Sequence, residues 1–345
     1  MAAEGEIVIV RFTYTGADGE VIPDEATHIT VAEDCTFVHE QAFERHPNII
    51  EVVCHLHVEK IEQMAFYECY SLRRVIMPGV KEVEYAAFSE CKALTDVECG
   101  KLEIIKDSVF WGCRSLRSIS LPSARILERC SFINCQALAD VKFGKNLERI
   151  EQSTFIQCIS LKRITIPLKN GLFTCNGIIE QPNRSIFIGC ENLEEVDLVE
   201  GAVLQETVAA LQLEEWRKDM NREIQSIRTN IRRARPGRYY YTADHILADI
   251  DPGQKAQVIL AWIRSVLRKI VRYKAEHERL LREELEPTLQ LVLPHDIVMN
   301  SVLPFLQLPS YSFEGEEDSV EGGDHGDEEG DRVESESNRC CCCIQ

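Results

Sequence analysis

The chain has 345 residues, 45% of them hydrophobic, with 57 acids against 38 bases and a net charge of −19. That apolar content suits a folded chain with a sizeable core, and the acidic balance argues against a nucleic-acid-binding surface, which needs cations to displace counterions from phosphate. No run of about 18 uncharged apolar residues is present, so nothing reads as a membrane-spanning helix.

The first residues, Met1 to Glu6, are acidic and lack the basic start and apolar run of a secretion signal. The expected compartment is therefore the reducing cytoplasm, where cysteines persist as thiols instead of disulfides. Residues 1–41 read as a β-rich N-terminal cap, with Ile7 to Tyr14 and His28 to Val31 joined by the turn Gly16-Ala17-Asp18-Gly19. A solenoid end needs such a polar-edged cover.

Residues 42–201 repeat. Phenylalanines stand at 66, 88, 110, 132, 155 and 187, in steps of 22, 22, 22, 23 and 32 residues. Each is followed three residues later by Cys69, Cys91, Cys113, Cys135, Cys158 or Cys190, and six residues later by Leu72, Leu94, Leu116, Leu138, Leu161 or Leu193. Phe43, His46 and Ile49 form an earlier, degenerate copy. A fixed period of this size marks one supersecondary unit copied and stacked. Within each unit, Leu72, Val75 and Met77 and their equivalents have the L-x-x-L-x-L spacing of a short strand with alternating faces. Pro78, Gly100, Pro122, Gly144 and Pro167 close these strands: proline ends pairing and glycine permits a sharp corner. The Phe, Cys and Leu columns are expected to point inward, the cysteines packing as small apolar thiols.

The recurring pattern A-F-x-x-C-x-S-L-x-x-V/I-x-L-P resembles the BspA-type leucine-rich repeat family over roughly residues 42 to 200. The resemblance implies a curved right-handed solenoid that binds macromolecules and has no catalytic centre. The C-terminal helical extension is similar to that of large leucine-rich-repeat families in microalgae.

The outward strand positions are the candidate binding residues, expected on the concave wall. They include Arg73, Arg74, Asp96, Glu98, Arg117, Asp140, Lys142, Lys162, Arg163, Glu194, Glu195 and Asp197. The full set, with Glu51, holds six positive and seven negative residues whose signs tend to alternate from coil to coil. Opposite charges on adjacent strands attract and favour register, so one reading is a self-neutralising ladder and the other a patterned face for a protein partner. Neither offers a basic groove or aromatic platform for nucleic acid.

The 32-residue step holds an insertion within 170–185, and Phe173, Ile178 and Ile179 are candidates for an exposed loop there. Residues 202–308 switch to helical spacing: Leu204, Val208, Leu211, Met220, Ile224, Ile227 and Ile231 precede Pro236-Gly237, and Val258, Trp262, Val266, Ile270 and Tyr273 share a second face. The bland expectation is a first helix capping the solenoid with the rest packed on it. The basic run Trp262 to Lys274 and the cluster Arg228, Arg232, Arg233, Arg235 and Arg238 carry a second expectation, an anionic membrane or peptide-type contact. Residues 293–306 look like the opening of an F-box, the adaptor helix of ubiquitin ligases, placed after the repeats instead of before them.

Residues 309–345 form a low-complexity acidic tail, with twelve acids between 314 and 339, expected to be disordered. It ends Cys340-Cys341-Cys342-Cys343-Ile344-Gln345. Cys342 heads a C-a-a-X match in which Gln favours farnesyl, and Cys340 or Cys341 stands ready for palmitate. A mature chain that still ends in Ile344-Gln345 would exclude this tether. Cys54, His55 and His57 lack further ligands, so no metal is expected. No phosphate-binding glycine loop, H-E-x-x-H or nucleophile elbow appears.

The reading is an α+β repeat protein: a solenoid of 22–23-residue coils with a helical module and an acidic tail. Its expected role is non-catalytic protein–protein interaction, with an unidentified protein partner, no cofactor, no small-molecule substrate and no nucleic acid. The alternatives are a ubiquitin-ligase substrate receptor and a prenylated, membrane-tethered signalling protein.

Overall fold

The computed structural model describes residues 9–17, 19–169, 171–173, 186–199, 214–241, 247–251, 253–280 and 282–283. Each repeat makes one coil with a longer strand, a corner, a short strand and a tight turn around the phenylalanine. The longer strands are β1 (Arg11–Tyr14), β2 (His28–Val31), β4 (Glu51–Val53), β6 (Arg74–Ile76), β8 (Asp96–Glu98), β10 (Ser118–Leu121), β12 (Asp140–Phe143), β14 (Arg163–Ile166) and β15 (Glu195–Leu198). The short strands between them are β3 (Phe37–Val38), β5 (Lys60–Ile61), β7 (Glu82–Val83), β9 (Ile104–Ile105), β11 (Ile126–Leu127) and β13 (Arg149–Ile150).

These strands pair in parallel, each with the equivalent strand of the next coil, except that no ladder joins β8 to β10. The parallel order reaches further toward the N-terminus than residue 42. Arg11 pairs with His28 and His28 with Glu51, so β1 and β2 run in solenoid register instead of forming a hairpin.

The inward columns fill the core. Phe66, Phe88, Phe110, Phe132 and Phe155 are fully buried and Phe187 is 2% exposed. Their rings stack from coil to coil with centroids 5.1 to 5.6 Å apart and planes within 18°. Phe43 extends the stack at 4.8 Å, and Tyr14 tilts onto Phe43 at 5.0 Å. The degenerate copy therefore belongs to the same core. The Cys and Leu columns are wholly buried. Each column thiol donates to the carbonyl of the phenylalanine one coil back, from Cys69 to Phe43 at 2.9 Å through Cys190 to Phe155 at 3.0 Å. His46 fills the Cys position of its copy and uses Nε2 on the Pro23 carbonyl instead, at 3.0 Å. The ten described cysteines are free, nine of them buried.

The turn around each phenylalanine forms a third ladder. The Phe66 amide donates to Ala87 O, Phe88 to Val109 O, Phe110 to Ser131 O and Phe132 to Thr154 O, at 2.8 to 3.0 Å. Two residues per coil take left-handed backbone here, one on each side of the phenylalanine. Met64 and Glu68 do so around Phe66, with φ of 54° and 58°, and Ala86 and Glu90 around Phe88, with φ of 53° and 60°. Gly112 and Gly189 occupy the second position in two coils, where glycine carries no Cβ penalty.

The long step resolves differently from the expectation. Phe173 is 3% exposed, bridges in parallel to Ile150 and meets Phe187 edge-on at 5.7 Å. It is a short-strand core residue, not loop surface, because the sequence resumes the buried spacing before the extra residues begin. Those extra residues, with Ile178 and Ile179, lie outside the described residues.

Beyond the coils come helix α1 (Glu214–Arg233), an antiparallel hairpin of β16 (Arg238–Tyr241) and β17 (Leu247–Asp251), and helix α2 (Lys255–Leu280). Trp216, Met220, Ile227 and Ile231 of α1 share one core with Ile259, Ile263, Val266 and Ile270 of α2 and with the last coil. Trp216 stacks on Tyr273 at 5.3 Å. The buried Lys255 Nζ donates to Leu193 O at 2.6 Å, closing the open end of the solenoid, and burial pushes its pKa below the ordinary lysine value. The basic run of α2 is thus a packed helix. Its apolar face is spent on α1, and Lys269 bonds Asp219 and Glu223 at 3.0 and 3.1 Å. A membrane or peptide contact there would need that apolar face exposed.

Candidate binding face

The longer strands present a face of alternating side chains, buried inward and exposed outward. In β6, Arg74 is exposed and Val75 buried; in β14, Arg163 is exposed and Ile164 buried. The strand register places Glu51, Arg74, Asp96 in one row, and Ser118, Asp140, Arg163, Glu195 in its continuation. Arg73, Arg117 and Lys162 are exposed one position earlier, and Glu98 and Lys142 two positions later.

Several of these charges pair across strands. Arg74 Nη1 lies 3.6 Å from Glu51 and Nη2 2.6 Å from Glu98. Arg163 Nε donates to Glu195 at 2.7 Å and lies 3.5 Å from Asp197. The Arg163 bond holds the Glu195 carboxyl below the usual glutamate range, and the same carboxylate raises Arg163. Such exposed pairs are worth little individually, but they fix where the charges stand. Glu194 is a junction residue instead of open face: Arg232 of α1 reaches it at 3.2 Å. The Arg232 position explains this, since α1 packs against the last strand.

The expectation of one continuous wall fails at one place. The longer strands form two sheets, β1-β2-β4-β6-β8 and β10-β12-β14-β15, with no ladder joining β8 to β10. The short-strand sheet runs unbroken through β9 and β11 past the same point. Elsewhere the Asp96 amide reaches Arg73 O at 3.1 Å and Ala139 reaches Arg117 O at 2.7 Å; no such flanking backbone bond joins Thr95 or Cys99 to Arg117, Ser118 or Ser120. In its place the Cys99 thiol meets Ser120 O at 3.7 Å. Val97, whose equivalents Val75 and Val141 are buried, is only partly buried. The break coincides with Ser118 and Ser120, whose short side chains supply no cross-strand partner to β8. A cleft of about 490 Å³ opens there. The spacing of the sequence does not signal it; the paired serines were the available clue.

A sequence profile described as BspA type Leucine rich repeat region matches six copies over residues 24–135 and 103–207. The chain belongs to the BspA-type leucine-rich repeat family. Solved structures similar to this BspA-type solenoid include a leucine-rich repeat protein of T. pallidum, 23% identical over 60% of this chain and 85% of that one, with a TM-score of 0.40. The pneumococcal vaccine antigen PcpA is 14% identical over 51% of this chain and 38% of its own, TM-score 0.33. A leucine-rich repeat protein of Bacteroides ovatus is 20% identical over 52% and 62%, TM-score 0.24. No curated protein matches the chain at a significant level.

Within the BspA-type coils the buried cysteines are poor nucleophiles. Burial pushes Cys54, Cys69 and Cys99 up to about 12 and raises the rest of the column thiols. His55 and His57 meet edge to face with ring centroids 4.9 Å apart, while Cys54 points inward and is 3% exposed. Among the described residues no three His, Cys, Asp or Glu are grouped to hold a metal ion, and no helix is long and apolar enough to cross a membrane. The F-box-like stretch 293–306, the acidic tail and Cys340, Cys341 and Cys342 lie outside the described residues.

Proposed function

We propose that this chain is a non-catalytic interaction scaffold whose longer-strand face receives a protein partner. The observation that carries the reading is the uncovered face itself: Arg73, Arg74, Asp96, Arg117 and Arg163 stand exposed at fixed spacing on a rigid, stacked core. A rigid array of fixed charges offers specificity with little ordering cost on binding. The thiols that dominate the coil chemistry are buried and protonated, which suits packing and not group transfer.

The test is proximity labelling in cells with the full chain and two charge-reversed variants. One carries Arg73→Glu, Arg117→Glu and Arg163→Glu on the longer-strand face. The control carries Lys81→Glu and Arg125→Glu on the short-strand side, where each pairs with a glutamate. The expected result is a partner set lost with the first variant and kept with the second. Equal partner sets for both would overturn the reading.

A further inference from the structure

The row through the third strand position reads Glu51, Arg74, Asp96, Ser118, Asp140, Arg163, Glu195, coil after coil. Its signs alternate negative, positive, negative on both sides of Ser118, and the serine stands where the alternation calls for a cation. Each arginine of the row is matched by neighbouring carboxylates: Arg74 by Glu51 and Glu98, Arg163 by Glu195 and Asp197. The two aspartates that flank Ser118 are not so served. Asp96 accepts from the Thr95 hydroxyl at 2.9 Å and makes no ion pair among the described residues. Asp140 has one oxygen 3.7 Å from Lys142, and the other, Oδ1, is buried without a hydrogen-bond partner.

This cation vacancy coincides with the sheet break. The 490 Å³ cleft is lined by three carboxylates, Asp96, Glu98 and Asp140, against two cations, Arg74 and Lys142, with Ser118, Ser120, Val97 and Ile119 completing it. The break leaves Val97 without a ladder partner in the next coil, so its peptide groups face the same space. The backbones of Asp96 and Asp140, two coils apart, stand roughly 10 Å apart at the spacing of adjacent strands, and each carboxylate extends beyond its own backbone. A planar guanidinium, with donors along two edges, is the side-chain group suited to meet a carboxylate on either side of it.

We propose that the cleft between β8 and β10 receives an arginine side chain of the partner protein, seated over Ser118 between Asp96 and Asp140. The inference rests on the scaffold reading and names the chemistry by which its face selects a partner. The guest guanidinium completes the alternation that the chain's own sequence leaves open, pairs with the exposed part of the Asp140 carboxylate and stacks its alkyl stem on Val97. An arginine at this point bridges the two half-sheets, so binding also tightens β8 against β10.

The experiment titrates N-acetyl-arginine amide into the isotope-labelled full chain and follows backbone amide resonances, with N-acetyl-citrulline amide as the neutral isostere. Expected are saturable shifts confined to residues 95–99, 117–121 and 139–142 for arginine and none for citrulline. Asp140→Asn should weaken the arginine binding about tenfold, the scale of one charge-assisted hydrogen bond. Ser118→Arg, which fills the vacancy from within, should abolish it. Shifts spread over the acidic surface without saturation, or equal shifts with citrulline, would overturn the inference, and that comparison needs no variant. If the arginine probe fails while the charge-reversed face still loses its labelled partners, the scaffold reading stands and the arginine site falls. If the probe binds and the partner set does not change, the cleft is an arginine site unconnected to the scaffold role.

Discussion

Two sheets climb the same coils, yet one is continuous and the other is cut. The short-strand sheet passes from β3 to β13 without interruption, while the longer-strand sheet stops at β8 and restarts at β10. The coils do not part, because the phenylalanine turn ladder and the ring stack cross the junction intact: the Phe88 amide bonds Val109 O at 3.0 Å and the Phe88 and Phe110 rings lie 5.6 Å apart. Continuity of a solenoid is thus set by its inward columns. The outward face can open locally while the core beneath it stays stacked.

The largest expected effect erases the difference between the sheets. Burial raises the thiols of both halves, with Cys54, Cys69 and Cys99 at about 12. The folded chain therefore keeps protons that the unfolded chain releases from about pH 9, so this stability is complete below pH 9 and is lost as the pH climbs toward 12. At pH 10.5 each such thiol costs up to about 2 kcal/mol. Urea unfolding should give similar midpoints at pH 7 and 8 and a single, much earlier transition at pH 10.5. An unchanged midpoint at pH 10.5 would place these thiols outside the dry core.

The second test strains the junction itself. Phe110→Ala removes a fully buried ring stacked between Phe88 and Phe132 and should cost about 3–5 kcal/mol. Phe66→Ala should cost about the same but sits where both sheets are intact. Because stability passes between neighbouring coils, chemical denaturation should broaden or split for Phe110→Ala and stay single for Phe66→Ala. Identical, sharp transitions for both would show that the break does not weaken coupling.

The smallest effect is local. Hydrogen exchange should find the Val97 and Ser120 amides opening with far less free energy than their counterparts in β6 and β12. Exchange roughly a hundredfold faster corresponds to about 3 kcal/mol of lost local protection. Equal protection on both sides would mean that the gap closes in solution.

The core was legible because its signal repeats: a Phe, Cys and Leu column recurring at one period leaves little freedom in where the chain turns. The outward charges were legible as a list for the same reason, since strand alternation assigns their face. The break was not, because it coincides only with the short side chains of Ser118 and Ser120, and a missing cross-strand partner carries no period. The left-handed turn residues were also hidden: Met64, Glu68, Glu90 and Gln157 are types that rarely adopt positive φ, and only the stacked ladder holds them there. Phe173 was misread because a sequence step was counted from ring to ring and not from strand to strand.

The two departures from a 22-residue step show what kind of genetic change the array tolerates. Ser118 pairs with Asp140 at an offset of 22 residues, but Ile126 pairs with Arg149 at 23, so one extra residue lies in the corner between the two strands. In the long step Ile150 still pairs with Phe173 at an offset of 23, while the following turn joins Phe155 N to Ile186 O, 31 residues on. Both additions fall between ladders and leave every rung in place. Copying a whole coil preserves all three ladders at once, whereas an insertion inside a strand would turn the side chains beyond it to the opposite face. The lineage of such a chain can therefore lengthen by duplication and diversify at corners, and its outward face gains new surface in units of one coil.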